Sequence, residues 1–362
     1  MGVRSGEPCG RCILPAAGSV GSAVGVPGAS STIRRRSHRT SRSAAVVSPV
    51  HPSTAPPTRE DGGQLVYAYG LCVDEGYLLP SLVTIASLAD TLSPAARREV
   101  AVRVLTLDLS RGHAATMADL ARRAGFGSFD LAWCRPLCQS RLVDDSYITI
   151  TTYLRFQFTP AFVGRPYLIY LDADVLALGD VSGPLEGLEQ GQLGAVADEF
   201  NPAVGQCPAL PGLVDRWPAL RGRAYYNAGA LWAPTAMLGP IRNGVEWALV
   251  NGSEFILHND QDALNLWLLA SPVVHPASGV FNRFEVGRFL ERGDWVRRIV
   301  ERPLHSTGAR LVHFVGPVKP WLTSCPITED VRLYRSHLTQ TVRHLHRLGD
   351  LGIEVATGGR PR

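Results

Sequence analysis

The sequence Tyr167-Leu168-Ile169-Tyr170-Leu171-Asp172-Ala173-Asp174 places two carboxylates directly after five large, mainly apolar residues. Such a run predicts a strand that is buried on both faces, as the strands of parallel sheets are. The two aspartates then lie at the carboxyl end of this strand, which is the edge where open α/β sheets bind their ligands. Asp-x-Asp alone is a weak signal, because a chain of this length contains it about once by chance.

Further apolar runs alternate with amphipathic segments on both sides of this strand. Strands are predicted over Leu65–Val73, Val100–Leu107, Ser128–Cys134, Pro166–Leu171, Gln192–Ala197, Ala224–Ala233 and Arg310–Val315, and helices over Tyr77–Leu92, Ala114–Ala124, Thr152–Phe162 and Thr328–Leu348. The alternation predicts an α/β fold with a mostly parallel central sheet flanked by helices. The Pro- and Gly-rich segment Asn201–Arg223 is long enough to cover a substrate.

Polar clusters follow four of the predicted strands. They are Asp74-Glu75-Gly76-Tyr77, Asp172-Ala173-Asp174, Asp198-Glu199, and His313 with Gly316, Pro317 and Lys319 just beyond it. Because the carboxyl ends of parallel strands meet at one edge, we expect these clusters to converge on a single site. Their convergence carries more weight than any one of them.

Two carboxylates as close as Asp172 and Asp174 repel each other unless a cation lies between them. A neutral imidazole from His313 would complete a set of ligands suited to Mn²⁺, which accepts nitrogen ligands better than Mg²⁺ does. This predicts a divalent metal site. Two simpler interpretations stay open: the aspartates could form a helix cap or a solvated turn, and His313 could be a buried strand histidine with its hydrogen bond satisfied.

Lys319 is the only lysine in the chain, against 35 arginines. Its retention suggests a place where a compact ammonium group is wanted, although a single lysine could also survive by chance. Gly316 would let the backbone approach a diphosphate, and Lys319 could place its charge against the phosphate oxygens. A metal and a lysine on one diphosphate make that diphosphate a good leaving group.

Two further motifs suit a polyhydroxylated ligand, because hydroxyl groups need paired donors and acceptors. Asn227-Ala228-Gly229 combines an amide with small residues, and Asp260-Gln261-Asp262 opens a predicted helix that runs to Leu269. Each motif is weak alone, since Asp260 could merely cap its helix.

Charge and composition divide the chain. Residues 1–60 hold eight arginines against two acidic residues, whereas the remainder is slightly acidic, which excludes a body built to bind nucleic acid. We predict a disordered Arg/Ser/Gly/Pro-rich segment over residues 1–63, one catalytic domain over 64–325, and a C-terminal helix and tail over 326–362. Seven scattered cysteines and no apolar run of membrane-spanning length favour the cytoplasm, with at most peripheral contact at the inner face of the membrane.

Taken in order, these motifs resemble glycosyltransferase family 8, which includes glycogenin, plant galactinol synthases and bacterial lipopolysaccharide galactosyl- and glucosyltransferases. The resemblance covers roughly residues 65–322 and rests mainly on Asp172-Ala173-Asp174 followed by His313-x-x-Gly316-x-x-Lys319-Pro320-Trp321, with support from Thr151-Thr152-Tyr153-Leu154-Arg155. It implies a nucleotide-sugar-binding domain of the type called GT-A, which uses Mn²⁺, with Mg²⁺ as the alternative, and a UDP-sugar donor such as UDP-glucose or UDP-galactose.

The resemblance also implies a role for individual residues. Asp172, Asp174 and His313 correspond to the metal ligands, and Gly316 with Lys319 to the residues that hold the diphosphate. Asp74 corresponds to the uridine pocket, whereas Asp198 corresponds to a position near the acceptor. The positions that hold the donor sugar are Arg155, Asn227, Ala228, Gly229 and Asp260, and Gln261 is the residue under the anomeric carbon. Gly76 is a departure, since many members have Asn there.

Family 8 enzymes retain the anomeric configuration, so the resemblance implies an α-linked product. Gln261 has no charge and no adjacent base, which makes it a poor nucleophile. We therefore expect attack from the face that the diphosphate leaves, with Gln261 giving electrostatic support. The expected acceptor is a glycan, a lipid-linked glycan or a metabolite.

Two interpretations from other classes remain at this point. A haloacid-dehalogenase-type phosphohydrolase also carries Asp-x-Asp after an apolar strand, but there the motif is expected on the first strand and with Thr or Val at the position of Leu176. A non-catalytic binder of sugar nucleotides or glycans would need the same pocket without turnover.

Overall fold

The structure is a computed structural model, and it describes residues 65–135, 137, 150–206, 208–271, 273–285 and 308–346. The segment 1–63 that we predict to be disordered lies outside these residues, as do the last two residues of the predicted helix Thr328–Leu348. The predicted domain limits at residues 63 and 325 stay predictions. Within the described part of the chain, no helix combines the length and the apolar character needed to cross a bilayer.

Strands in the described residues form two sheets. They are β1 (Tyr67–Cys72), β2 (Ala101–Thr106), β3 (Ser128–Trp133), β4 (Tyr167–Leu171), β5 (Val175–Ala177), β6 (Leu193–Ala197), β7 (Tyr226–Pro234), β8 (Val274–Pro276), β9 (Arg283–Phe284) and β10 (Leu311–His313). The central sheet has seven strands in the order β3-β2-β1-β4-β7-β6-β8. Only β7 runs antiparallel to its neighbours, so the predicted mostly parallel sheet is confirmed.

Helices cover both faces of this sheet. They are α1 (Leu78–Asp90), α2 (Pro94–Glu99), α3 (Arg111–Ala124), α4 (Pro160–Val163), α5 (Leu213–Arg216), α6 (Leu238–Asn251), α7 (Asn259–Ala270) and α8 (Glu329–His346). Side chains of β4 alternate between two apolar cores, as a strand period of two requires. Leu168 and Tyr170 join the core that contains α6 and α7, whereas Ile169 joins the core that contains α1 and α3.

The segment before β4 differs from the continuous helix predicted over Thr152–Phe162. A 3-10 helix covers Ile150–Gln157, and the short α4 begins separately at Pro160. Proline lacks the N–H that a continuing helix needs but fits the first turn of a new one. Thr159 caps that new turn by accepting a hydrogen bond from the N–H of Phe162.

The helix α6 is absent from the sequence-based prediction, because Gly239, Pro240 and Gly244 interrupt its apolar pattern. Gly244 has a packing reason. A Cβ atom at this position would lie 2.2 Å from the Trp267 ring of α7, so glycine lets the two helices pack closely.

The second sheet, β5-β10-β9, brings distant segments to the edge of the first. β10 pairs with β5 in an antiparallel register that sets His313 opposite Val175, the residue directly after Asp174. On its other side, β10 pairs with β9 in a parallel register. α8 packs its Val331 and Tyr334 against this sheet. The short second sheet thus carries the histidine to the aspartates.

Candidate active site

The carboxyl ends of the strands surround a cleft of about 830 Å³. Its size suits a ligand the size of a nucleotide sugar. Almost all of the predicted site residues line it, namely Asp74, Arg155, Asp172, Asp174, Asp198, Asn227, Ala228, Asp260, Gln261, His313, Gly316 and Lys319. The convergence expected from the strand ends is therefore observed.

Asp172, Asp174 and His313 form a cluster that could hold a metal ion. One ligand atom from each lies within 4.8 Å of the others. The Nε2 atom of His313 is 3.3 Å from an oxygen of Asp174 and 3.7 Å from an oxygen of Asp172. Two carboxylates and an imidazole are a donor set that suits Mn²⁺, so the residues present fit such an ion.

Gly229 makes room for this cluster. A Cβ atom on residue 229 would lie 2.3 Å from Cε1 of His313 and 2.7 Å from an oxygen of Asp172. Distances this short do not occur between real atoms, so a larger residue would displace the cluster. Gly229 does not line the cleft itself, and its role is to leave this space open.

Asp172 is held from below by Arg155, whose side chain is only 4% exposed. The guanidinium Nη2 lies 3.0 Å from Asp172 and Nε lies 3.1 Å from Asp260, while Nη1 donates to the carbonyl of Ala228 at 2.6 Å. Burial alone would lower the pKa of Arg155, but the two carboxylates outweigh it and raise the pKa. Burial raises the pKa of Asp260, against the opposing effect of Arg155. Arg155 thus fixes two predicted site residues at once, and the simple cap interpretation of Asp260 is incomplete.

Asp174 is paired with Lys319. The ammonium group donates hydrogen bonds to the Asp174 carboxylate and to the carbonyl of Phe314. Burial would raise the pKa of Asp174, but the charge of Lys319 and its hydrogen bond hold that pKa well below its usual range. The carboxylate is therefore ionised at neutral pH. Gly316, three residues before Lys319, has a φ of 95°, a conformation that favours glycine.

Asp198, Asn227 and Gln261 also line the cleft and are hydrogen-bonded to one another. The Gln261 amide nitrogen donates to Asp198 at 3.0 Å, and its oxygen accepts from the Asn227 side chain at 2.8 Å and from the N–H of Ala228 at 3.0 Å. Both ends of the Gln261 amide are thus engaged, and it remains uncharged. A neutral side chain held in this way can orient a ligand but is a poor nucleophile.

The predicted uridine side begins at Asp74, directly after β1. Its carboxylate accepts a hydrogen bond from the N–H of Tyr77 at 3.0 Å, which closes the turn at the strand end. The Tyr77 ring packs edge-on against Trp321. A Cβ atom at Gly76 would lie 3.4 Å from an Asp74 oxygen, an ordinary contact, so the absent side chain leaves space beside Asp74.

Residues 70–237 match the sequence model of glycosyl transferase family 8. Over these residues the chain is similar to glycosyltransferase family 8. The match supports glycosyl transfer as the activity of the protein. A search of curated protein sequences gives no significant match.

Solved structures similar to this chain share its fold. A galactosyltransferase, LgtC, solved with donor and acceptor sugar analogues, has a TM-score of 0.57 and 21% identity, covering 75% of this chain and 95% of its own. The glycosyltransferase GlyE of Streptococcus pneumoniae TIGR4, in its apo form, has a TM-score of 0.53 and 18% identity, covering 79% of this chain and 64% of its own. Mouse xyloside xylosyltransferase 1 has a TM-score of 0.50 and 13% identity, covering 73% of this chain and 99% of its own. The predicted GT-A fold is confirmed.

The family 8 match disfavours the phosphohydrolase interpretation. That interpretation expects Asp-x-Asp after the first strand of the fold, whereas here the motif follows β4, in the middle of the central sheet. The first aspartate of the motif also accepts hydrogen bonds from Tyr170 and Arg155 on one oxygen.

Sequence reasoning missed several residues that support the candidate site. The hydroxyl of Thr84, on α1, lies 2.9 Å from the carbonyls of Ala173 and Val175 and so anchors the Asp-x-Asp turn. A hydroxyl within the apolar pattern of α1 was a usable signal. Asn282 is fully buried beside His313, with its oxygen 3.0 Å from Nδ1. It lies 31 residues before His313 in a segment without a motif, so the sequence contained no sign of it.

Proposed function

We propose that the protein is a retaining hexosyltransferase that moves a hexose from a UDP-sugar, UDP-glucose or UDP-galactose, to a hydroxyl acceptor with the help of Mn²⁺. The observation that carries this proposal is the common cleft. Asp172, Asp174, His313 and Lys319 line it together with Asp198 and Gln261. A donor's diphosphate and the acceptor hydroxyl can thus meet within one cleft.

The donor's diphosphate is assigned to the side of Lys319 and Gly316. Lys319 supplies a compact positive charge, and the left-handed backbone at Gly316 has no side chain to keep phosphate oxygens away. The uridine is assigned to the end of β1 near Asp74 and Tyr77. The hexose is assigned to Arg155, Asp260, Asn227 and Ala228, whose donors and acceptors suit hydroxyl groups.

The metal would be held by Asp172, Asp174 and His313. When bound, it would neutralise charge on the departing diphosphate and so improve the leaving group. Arg155 keeps Asp172 in place through an ion pair at 3.0 Å, and His313 is held by its strand pairing opposite Val175. These residues therefore preorganise the site before a donor binds.

The transfer is proposed to occur on one face of the sugar. The bond from the anomeric carbon to the diphosphate oxygen breaks, and the acceptor oxygen bonds to the same carbon from the same side. The acceptor's proton passes to the departing diphosphate. Gln261, held by Asp198 and Asn227, contributes its dipole to the developing positive charge. Asp198 is assigned to the acceptor hydroxyl.

The decisive experiment incubates the purified full-length chain with UDP-glucose, UDP-galactose and UDP-N-acetylglucosamine, with and without Mn²⁺, and follows UDP release. We expect Mn²⁺-dependent turnover of a UDP-hexose and, once an acceptor is found, an α-linkage by NMR. A β-linked product would reject the retaining mechanism. A protein that binds UDP with Mn²⁺ but turns over no donor would be the non-catalytic binder.

A further inference from the structure

A chain of side-chain amides connects the backbone at Gly229 to His313. At its start, the Oδ1 atom of Asn227 accepts a hydrogen bond from the backbone N–H of Gly229 at 2.9 Å. A backbone N–H can only donate, so the Asn227 atom that faces it must be the carbonyl oxygen. The orientation of the Asn227 amide is therefore determined by a group whose role is fixed.

Asn282 is the next amide in this chain. It approaches the same Asn227 oxygen at 2.8 Å. Because that oxygen cannot donate, the Asn282 atom facing it must be the amide nitrogen. The Asn282 oxygen then faces Nδ1 of His313 at 3.0 Å, which requires the proton of the neutral imidazole to be on Nδ1.

This assignment leaves the unprotonated Nε2 of His313 facing Asp172 and Asp174. The distances from Nε2 to the nearest carboxylate oxygens are 3.7 Å and 3.3 Å. A lone pair directed at two carboxylates is repulsive unless a cation lies among them. Asn282 is fully buried, so bulk water does not compete for its hydrogen bonds.

We propose that Asn282 is a positioning residue of the metal site, which sets the tautomer of His313 so that Nε2 is available as a ligand. Asn282 acts through His313 and touches neither the metal nor the donor. The short strand β9 begins at the next residue and pairs with β10, which holds the amide beside the imidazole. The proposal rests on the metal site of the proposed function and is independent of which sugar is transferred.

The test compares Asn282→Ala with Asn282→Asp in the full-length chain. Alanine removes the acceptor for Nδ1–H, and we expect Mn²⁺ to bind about 10- to 100-fold more weakly, as when other outer partners of metal-bound histidines are lost. Aspartate keeps an acceptor oxygen for Nδ1–H and adds a negative charge near the cluster, so Mn²⁺ should bind at least as tightly as it does to wild type. The exposed Asn251→Ala, at the end of α6, is the control and should bind like wild type. Free Mn²⁺ is counted by electron paramagnetic resonance.

A second readout needs no metal. The ¹⁵N resonances of His313 in the metal-free protein, identified by their loss in His313→Gln, report which ring nitrogen carries the proton. At about pH 8.5, where an ordinary imidazole is neutral, wild type and Asn282→Asp should carry it on Nδ1, whereas Asn282→Ala should show a mixture. A wild-type proton on Nε2, or an alanine variant with unchanged tautomer and Mn²⁺ affinity, would overturn the proposal. Intact Mn²⁺ binding without any transfer would count against the proposed function alone.

Discussion

The ammonium group of Lys319 is bonded to the carboxylate of Asp174, one of the three side chains that could hold a metal ion. Arg155 is paired in the same way with Asp172 at 3.0 Å. The repulsion that we expected between two adjacent carboxylates is thus partly compensated by two cations of the protein itself. A divalent ion alone would therefore meet a site whose negative charge is already reduced.

Lys319→Met should consequently have opposite effects on two ligands. Without the ammonium charge, the Asp172–Asp174 cluster becomes more negative, and we expect Mn²⁺ alone to bind about tenfold more tightly. UDP should bind about tenfold more weakly at saturating Mn²⁺, because the charge assigned to its diphosphate is lost. Isothermal titration calorimetry measures both. Lys319→Arg keeps the charge and should leave Mn²⁺ affinity near wild type; equal Mn²⁺ affinity in the Met variant would contradict this account.

Gly229→Ala should eliminate tight metal binding while the rest of the fold persists. The added methyl group would collide with His313 and Asp172 at 2.3 Å and 2.7 Å, so at least one ligand must move. We expect Mn²⁺ affinity to fall at least about tenfold. Gly239→Ala is a matched control, because a Cβ atom there has no neighbour within 4 Å. Titration with Mn²⁺ and a thermal melt of both variants separate loss of the site from loss of the fold.

Arg335→Ala should weaken UDP binding although α8 lies outside the matched region. Arg335 donates to the carbonyls of Pro320 and Leu322, both at 2.9 Å, and so holds the turn that carries Lys319. We expect UDP affinity with Mn²⁺ to fall about tenfold, and hydrogen exchange over residues 314–325 to accelerate. Arg332→Ala, on the exposed face of the same helix, should change neither. Unchanged UDP affinity in Arg335→Ala would show that the turn is held by other contacts.

The strand ends were predictable because apolar runs and the polar residues after them are local features of the sequence. That is why the cluster around β4 and the segment from His313 to Lys319 could be assigned to one edge. Their relative geometry depends on long-range pairing instead. β5 and β9 have three residues or fewer, too short for a periodic pattern, and the strand predicted over Arg310–Val315 carries no sign of its partner. Yet the register of His313 opposite Val175 is what brings the imidazole to the aspartates.

The partners of the charged side chains could also not be predicted from the sequence. Lys319 was assigned to a diphosphate from its chemistry, and nothing in its local pattern indicated a partner 145 residues away at Asp174. Arg155 was assigned to the donor sugar, whereas its position beneath both Asp172 and Asp260 follows only from the packing of the 3-10 helix against β4 and α7. Local motifs thus identify the participants, and tertiary contacts determine their partners.

Glu285 predicts a pH dependence of stability that does not involve the cleft. Its side chain is buried, one carboxylate oxygen has no hydrogen-bond partner among the described residues, and Asp330 of α8 lies beside it. Burial, the largest effect, together with the charge of Asp330 raises the pKa of Glu285 to about 7, against the opposing hydrogen bond from Thr328. Between the unfolded value near 4.5 and this raised value, the folded state holds a proton that the unfolded state has released.

The contribution of Glu285 to stability is therefore fully present below about pH 4.5 and is lost as the pH rises through 7. Glu285→Gln mimics the protonated form at every pH. Relative to wild type, the variant should gain about 1–3 kcal/mol in free energy of unfolding between about pH 5 and pH 8. Urea denaturation of both proteins across this range measures the difference, in which the titration of other groups cancels. Glu254→Gln, at an exposed site, is the control and should show no such trend. Parallel curves of stability against pH for Glu285→Gln and wild type would mean that Glu285 is already ionised in the folded protein at pH 5.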